Sequence, residues 1–266
     1  MFESFKINVD VLDALEQECS IPYTLPKADC SQDFYEKILE ACTYDGVIDG
    51  ADLSALNFPF DTNPDTPVHY DVFISYSHLD EKKARYLYWF LTTRCKLRVF
   101  IDSTIWHSAD KLLKAIDDKY CKNANNNNYN YNKCNFSTSH VHTLLSMAML
   151  NAIKRSECFV FIESSNSLTL KDGIQNHSLS PWIYQETEFA NSLPRILPER
   201  FRINRRRKIF SEARGITDSA VLKMRYTLQT EKFHLLTQKD LLMLQHFKGT
   251  NGLDNLYRQY TNIFDR

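Results

Sequence analysis

What the sequence lacks narrows it first. No apolar run approaches the ~18 residues that a membrane-crossing helix needs. The N-terminus, MFESFKINVD, has neither the basic opening nor the apolar core of a secretory leader. Charge of one sign is missing too, since 32 Lys and Arg stand against 33 Asp and Glu. Such a chain has no global field to draw it onto nucleic acid or an anionic membrane. The simplest expectation is a cytoplasmic protein with neither as a partner. No C-x-x-C pair occurs. The seven cysteines (Cys19, Cys30, Cys42, Cys95, Cys121, Cys134 and Cys158) are odd in number and scattered, which fits reduced thiols rather than a disulfide framework. Cys121, Cys134, His140 and His142 lie near one another in sequence. Their spacing matches no standard zinc pattern and they flank a low-complexity stretch, so no metal site is expected. Also absent are G-x-G-x-x-G, a Walker A loop, a G-x-S-x-G elbow and H-E-x-x-H. The usual phosphate-binding and hydrolase readings lose their support.

What is present is an ordinary globular composition, 43% hydrophobic and 24% charged over 266 residues. DVLDALEQEC and SQDFYEKILEAC have helical spacing, with Ser31 placed to cap the second. FPFDTNPDTP then punctuates the chain. YDVFISY is a short apolar run of β-formers, as expected of a strand buried on both faces of a parallel sheet. Asp80 can cap a helix carrying Ala84, Leu87, Trp89 and Leu91 into a second such strand, LRVFID. Strand, helix and strand make a βαβ unit with a right-handed crossover. ADKLLKAIDDKY is an amphipathic helix. The Asn/Tyr-rich stretch over 122–136 reads as a surface loop. HVHTLLSMAMLNAIKRS returns to helical periodicity, CFVFIES is a third buried strand, and SNSLTLKDGIQNHSLS reads as a polar loop. RINRRRK is a solvated basic run. VLKMRYTL alternates through Leu222, Met224, Tyr226 and Leu228 as a half-buried strand nearer the sheet edge. Thr237 caps a helix over QKDLLMLQHF, and Gly249 ends it. The expected architecture is a doubly wound, mainly parallel α/β sheet, with its ligand crevice outside the carboxyl ends of the strands. The expected organisation is an N-terminal helical extension over 1–66, a central domain over 67–195, and an extension over 196–266 that completes the sheet and helices.

One stretch raises a chemical question. In SPWIYQETEF, Ser180 suits an N-cap and Pro181 the first helical position. The helical repeat then aligns Trp182, Glu186, Phe189 and Leu193 on one face. Glu188 falls with Tyr184 and Asn191, on a face that can stay wet. Glu186 alone interrupts an oily stripe. Either it pairs with a buried cation, or the helix turns it to water, or it does chemistry. Half-burial would raise its pKa, a common mark of functional sites.

YDVFISYSHLD, RVFIDS, FVFIESS and SPWIYQE, in that order and spacing, resemble a Toll/interleukin-1 receptor (TIR) domain over about Val68 to Leu193. FIDSTIWHSADKL stands where that family has the loop after its second strand. Here Trp106, His107 and Ser108 replace the family's usual glycine. S-x-W-x-x-x-E resembles the helix motif that carries the catalytic glutamate of TIR domains that cleave NAD+. The flanking segments resemble bacterial stand-alone TIR proteins, including the TIR component of Thoeris anti-phage systems. The resemblance implies a flavodoxin-like TIR fold with Glu186 as the catalytic carboxylate. It implies NAD+ as substrate, with no separate cofactor and no metal. Its product would be an ADP-ribose-derived signal, cyclic or conjugated, that diffuses to a separate effector. It further implies self-association through TIR contacts and a phage-derived activator. Candidate substrate-binding residues are Ser75 and Ser77 at the first strand's end, the latter by resemblance. Asp102 ends the second strand, and Trp106 could stack on a base. Ser164 and Asn166 follow the third strand, and Trp182 could wall the site one helical turn from Glu186. His140 and His142 read as packed or surface residues. The alternatives are an NAD-depleting hydrolase and a TIR scaffold without turnover.

Overall fold

A computed structural model describes residues 1–19, 68–101, 109–123, 128–171, 174–201 and 226–261. Its first strand lies where none was expected. β1 (Glu3–Asn8) runs inside a five-stranded parallel sheet. The three apolar runs form β2 (Tyr70–Ser75), β3 (Val99–Ile101) and β4 (Ser156–Glu163). β5 (Thr169–Lys171), β6 (Ile174–Ser178) and β7 (Tyr226–Thr227) make a separate antiparallel sheet. β8 (His234–Leu235) borders the main sheet, whose spatial order is β3-β2-β4-β1-β8. Counted from β2, this is the 2-1-3-4-5 order of flavodoxin-like sheets. Its fourth place is filled by the chain's own start.

Residues 1–66 are therefore not a helical extension throughout, and the expected boundary near residue 66 does not separate the first strand from the sheet. β1 escapes the apolar-run test because only part of it is oily. Phe5 and Ile7 are fully buried and pair in register with Val160 and Ile162. Ser4 and Lys6 point to the other face, and each finds a polar partner. Arg195 Nη1 donates to Ser4 Oγ at 2.8 Å, and Lys6 Nζ meets Glu163 Oε1 at 3.0 Å. Across the strands on that face, Phe100, Phe73 and Phe159 stack at 5.0 and 5.6 Å. At the sheet's far side Asp71, buried within β2, holds Arg98 at 2.9 Å.

Helices cover both faces. α1 (Val9–Glu18) starts at Asn8, whose side chain accepts from Asp10 N at 2.9 Å. α2 (Glu81–Trp89) runs into a π-turn over Phe90–Arg94, and Tyr86 Oη ties it to the Leu15 carbonyl. α3 (Ala109–Tyr120) and α4 (Tyr131–Lys154) follow. α5 (Pro181–Ser192) begins with Ser180 accepting from Ile183 N. α6 (Gln238–Phe247) opens with a capping box between Thr237 and Asp240. It ends at Lys248, not at Gly249. Lys248 takes the positive φ of 54°, and Gly249 starts α7 (Gly249–Tyr260). α7 lays Tyr257 and Tyr260 against Phe5, whereas α5 lies over the face that carries Ser75.

Three further expectations change. The polar stretch after β4 is the β5–β6 hairpin, because its alternating residues pair with each other rather than with water. Tyr226–Thr227, the described end of VLKMRYTL, joins that hairpin and not the main sheet. The Asn-rich segment over 122–136 is partly helical. Asn130 Oδ1 accepts from Lys133 N at 3.2 Å, so an Asn good at capping starts α4 inside it. The chain divides into two compact units. One comprises Met1–Leu25, His69–Phe100 and Ala152–Arg266, and the other Pro26–Val68 and Ile101–Asn151. The division has a break at Val68/His69, near the expected boundary at 66, and none near 195.

Because β1 is central, Phe5→Ala is expected to destabilise the whole sheet by ~3–5 kcal/mol. Urea unfolding followed by far-ultraviolet circular dichroism would show the loss as a lower midpoint of the single main transition. A change confined to a minor early transition would contradict the placement of β1.

Candidate active site at the carboxyl edge of the sheet

Parallel strands place all their carboxyl ends on one edge. Ser75 closes β2 there, and Ser164 follows β4. α5 brings Glu186 to the same edge, and Ser75 Oγ donates to Glu186 Oε2 at 2.5 Å. Ser75 is fully buried and Glu186 is 5% exposed. The helix is therefore not turned to put Glu186 in water.

The stripe is nonetheless not the expected one. The buried residues of α5 are Ile183, Glu186, Thr187 and Ala190, while Trp182, Phe189 and Leu193 are half-buried. The face is turned toward Ile183, and small Ala190 allows close approach to the sheet. Thr187 serves this burial by donating its hydroxyl to the Ile183 carbonyl at 2.9 Å. Trp182 stands one turn from Glu186, where a partial wall is geometrically available. Glu188 is half-buried rather than wet. Burial raises its carboxyl above the ordinary carboxylate value, with Lys232 opposing. Beside it Tyr184 stacks on Tyr226 at 4.6 Å.

Asp80 was expected to cap α2 and does not, since its side chain makes no capping bond. It is buried and reaches across the edge to the loop after β4. Ser164 Oγ donates to Asp80 Oδ2, and Asn166 Nδ2 donates to Asp80 Oδ1 at 2.7 Å. Two residues expected to meet substrate are thus joined to a carboxylate of this chain. Ser164 Oγ also accepts from Asn166 N and Ser167 N, which closes the turn. Ser77 precedes the short helix His78–Asp80 and gives its carbonyl to Asp80 N at 2.7 Å, with no side-chain capping bond. Asp102 and Trp106 lie outside the described residues.

Sequence reasoning missed the Asp80 clamp and the Lys6–Glu163 pair. Their partners are 84 and 157 residues apart along the chain, so no local signal marks them. Cys95 and Cys158 offer no nucleophile to the edge. Burial pushes Cys95 up to about 12 and Cys158 well above its ordinary value, and such thiols are inert. His140 and His142 both lie on α4. A surface cleft of about 590 Å³ opens at the opposite edge of the sheet. It is lined by Arg94, Lys96, Gln245, His246 and Lys248 among others, and contains none of the expected site residues.

Chemically, the edge offers two buried carboxylates that each accept from a serine hydroxyl: Asp80, which holds the loop after β4, and Glu186, on α5 one turn from a half-buried indole. A carboxylate so placed can stabilise a developing cation or take a proton.

Two outcomes test this geometry. Asp80→Ala leaves Ser164 and Asn166 without their acceptor and is expected to cost ~1–3 kcal/mol in chemical denaturation. Glu188 binds its proton more tightly folded than unfolded, so its contribution to stability falls as pH rises out of the ordinary carboxylate range. Glu188→Gln should match wild type below that range and exceed it by under ~1 kcal/mol above, in thermal unfolding across pH. An equal gain at every pH would break the assignment. No family model, curated protein or solved structure matches the chain, so function has to be argued from the site itself.

Proposed function

We propose that this chain is a TIR-type NAD+ nucleosidase or cyclase with Glu186 as its catalytic carboxylate. The observation that carries the reading is the burial of Glu186 at the carboxyl edge, held by Ser75, on the helix that begins S-x-W-x-x-x-E. A flavodoxin-like sheet binds ligands at that edge.

In the proposed reaction the bond from the ribose carbon to the nicotinamide ring nitrogen breaks. Its electron pair leaves with nicotinamide, which departs neutral, and the sugar becomes oxocarbenium-like. Glu186 would face that cation and hold the ribose hydroxyls, as carboxylates do in glycoside hydrolysis. Ser75 fixes the carboxylate's orientation, so little reorganisation accompanies the step. Trp182 would exclude water from one side and strengthen the charge interaction. A hydroxyl of the same molecule, or of a second one, then captures the sugar carbon and loses its proton. The product is a cyclic or conjugated ADP-ribose derivative. It would diffuse to a separate effector in bacterial anti-phage immunity, after a phage-derived trigger and self-association of the chain. Capture by water instead would give plain ADP-ribose.

Nicotinamide release from NAD+ should be followed at high and low protein concentration, with product masses determined. Glu186→Gln is expected to lose at least ~100-fold in turnover, while Glu188→Gln keeps most of it. Full activity in a folded Glu186→Gln protein would refute the assignment. A wild type that stays inactive in concentrated form and in infected-cell lysate would favour a scaffold.

A further inference from the structure

We propose that Asp117, Cys121 and Cys134 form a binding site for a soft divalent cation of the zinc class, at the base of the Asn-rich segment. One carboxylate oxygen and two sulfurs lie within 4.8 Å of one another. Ligands that share a tetrahedral zinc stand about 3.3–3.8 Å apart, from bonds of about 2.1 Å to oxygen and 2.3 Å to sulfur. A contraction of about 1 Å at most closes the set around an ion.

The sequence alone argued against a metal at Cys121, Cys134, His140 and His142, because their spacing matches no standard zinc pattern and they flank a low-complexity stretch in which residues 122–133 separate the two cysteines. The backbone removes that separation. Asn130 N donates to the Cys121 carbonyl at 2.7 Å, Asn123 N donates to the Asn128 carbonyl at 3.0 Å, and Lys122 and Tyr129 are bridged. The segment is thus closed at its base, and the chain re-enters a helix beside the one it left. Asn130 then caps α4 and fixes Cys134 near its first turn, where Cys134 N donates to the Asn130 carbonyl at 3.0 Å.

The side chains are already in mutual contact. Cys121 Sγ donates to Asp117 Oδ1 at 3.2 Å, one helical turn away on α3. Ser137 Oγ hydrogen-bonds Asp117 Oδ1 and stands 3.6 Å from Cys121 Sγ. It is the outer partner that would orient the ligating carboxylate. Cys121 is 1% exposed and Cys134 is half-buried, so an ion has a way in beside Cys134. Two sulfurs with one carboxylate select zinc over calcium or magnesium. On binding, each thiol passes its proton to solvent as its sulfur–metal bond forms. The carboxylate joins as it is, water takes the fourth position, and no electron moves. Neither His140 nor His142 belongs to the group.

Cobalt(II) titration of the reduced, metal-free full chain tests the proposal. Wild type should bind one equivalent with thiolate-to-cobalt charge transfer and tetrahedral d–d bands, both removed by one equivalent of zinc. Cys134→Ser, with its fold checked by circular dichroism, should lose at least tenfold in affinity, and Asp117→Asn should weaken binding. The double variant Cys30→Ser/Cys42→Ser should bind as wild type does. In native wild type, zinc should protect the half-buried Cys134 from alkylation while leaving Cys19 open, a readout that needs no variant. The proposal falls if wild type shows no thiolate–cobalt spectrum. It falls equally if Cys134→Ser keeps the spectrum, if the Cys30/Cys42 variant loses it, or if zinc does not protect Cys134.

Discussion

The ladder on both edges of β4 is the constraint from which the rest follows. β4 is buried from Cys158 to Ile162, so neither its side chains nor its backbone groups can turn to water there. It needs a strand on each side. β2 supplies one through Tyr70 to Ser75, and β1 the other through Glu3 to Asn8. Both pair in parallel. Their carboxyl ends therefore share an edge, and the polar residues that finish each strand collect on it. Asn8 spends its side chain on capping α1, and Glu163 spends its charge on Lys6. Ser75 is turned to Glu186.

The buried carboxylates of this sheet are held in different ways. Taking a carboxylate out of water is expensive unless charge partners and donors offset it. Asp71 and Glu163 have cations at 2.9 and 3.0 Å, which accounts for them as pieces of architecture. Asp80 collects two donors from one loop and so binds that loop in place. Glu186 is as deeply placed as Asp71, and a serine hydroxyl is bonded to it. The carboxyl edge of a parallel sheet is where a charge can meet a ligand, and the proposed chemistry is placed on Glu186 for that reason.

Much of this was legible in the sequence because the relevant signals are local. Continuous runs such as VFIS and CFVFI can only be strands buried on both faces, and they are. Ser180 with Pro181, and Thr237 with Asp240, announce their helices by chemistry confined to one turn. Glu186 was visible as an anomaly of pattern even though the face containing it was misjudged by about one residue. What escaped depends on distance along the chain. β1 is half polar, and its polarity makes sense only once Arg195 and Glu163 are beside it. Asp80 reads as a cap until the loop carrying Ser164 and Asn166 is folded back onto it. Cys121 and Cys134 are far apart in sequence and close in space because backbone bonds close the segment between them.

The first strand also governs the candidate site, although it contributes no residue to it. α5 runs antiparallel to the strands, with Glu186 near the carboxyl edge and its far end near the amino edge. Just past that end, Ile196 N donates to the Met1 carbonyl at 2.9 Å and Arg195 reaches Ser4. The helix is therefore fixed at two points, by Ser75 of β2 at one edge and by the start of β1 at the other. β2 and β1 are not neighbours, since β4 lies between them. A helix anchored on both spans the central strand and cannot slide without breaking one anchor. The position of Glu186 is in this way tied to the chain's first few residues, and the chemistry proposed for it would use a charge held in place.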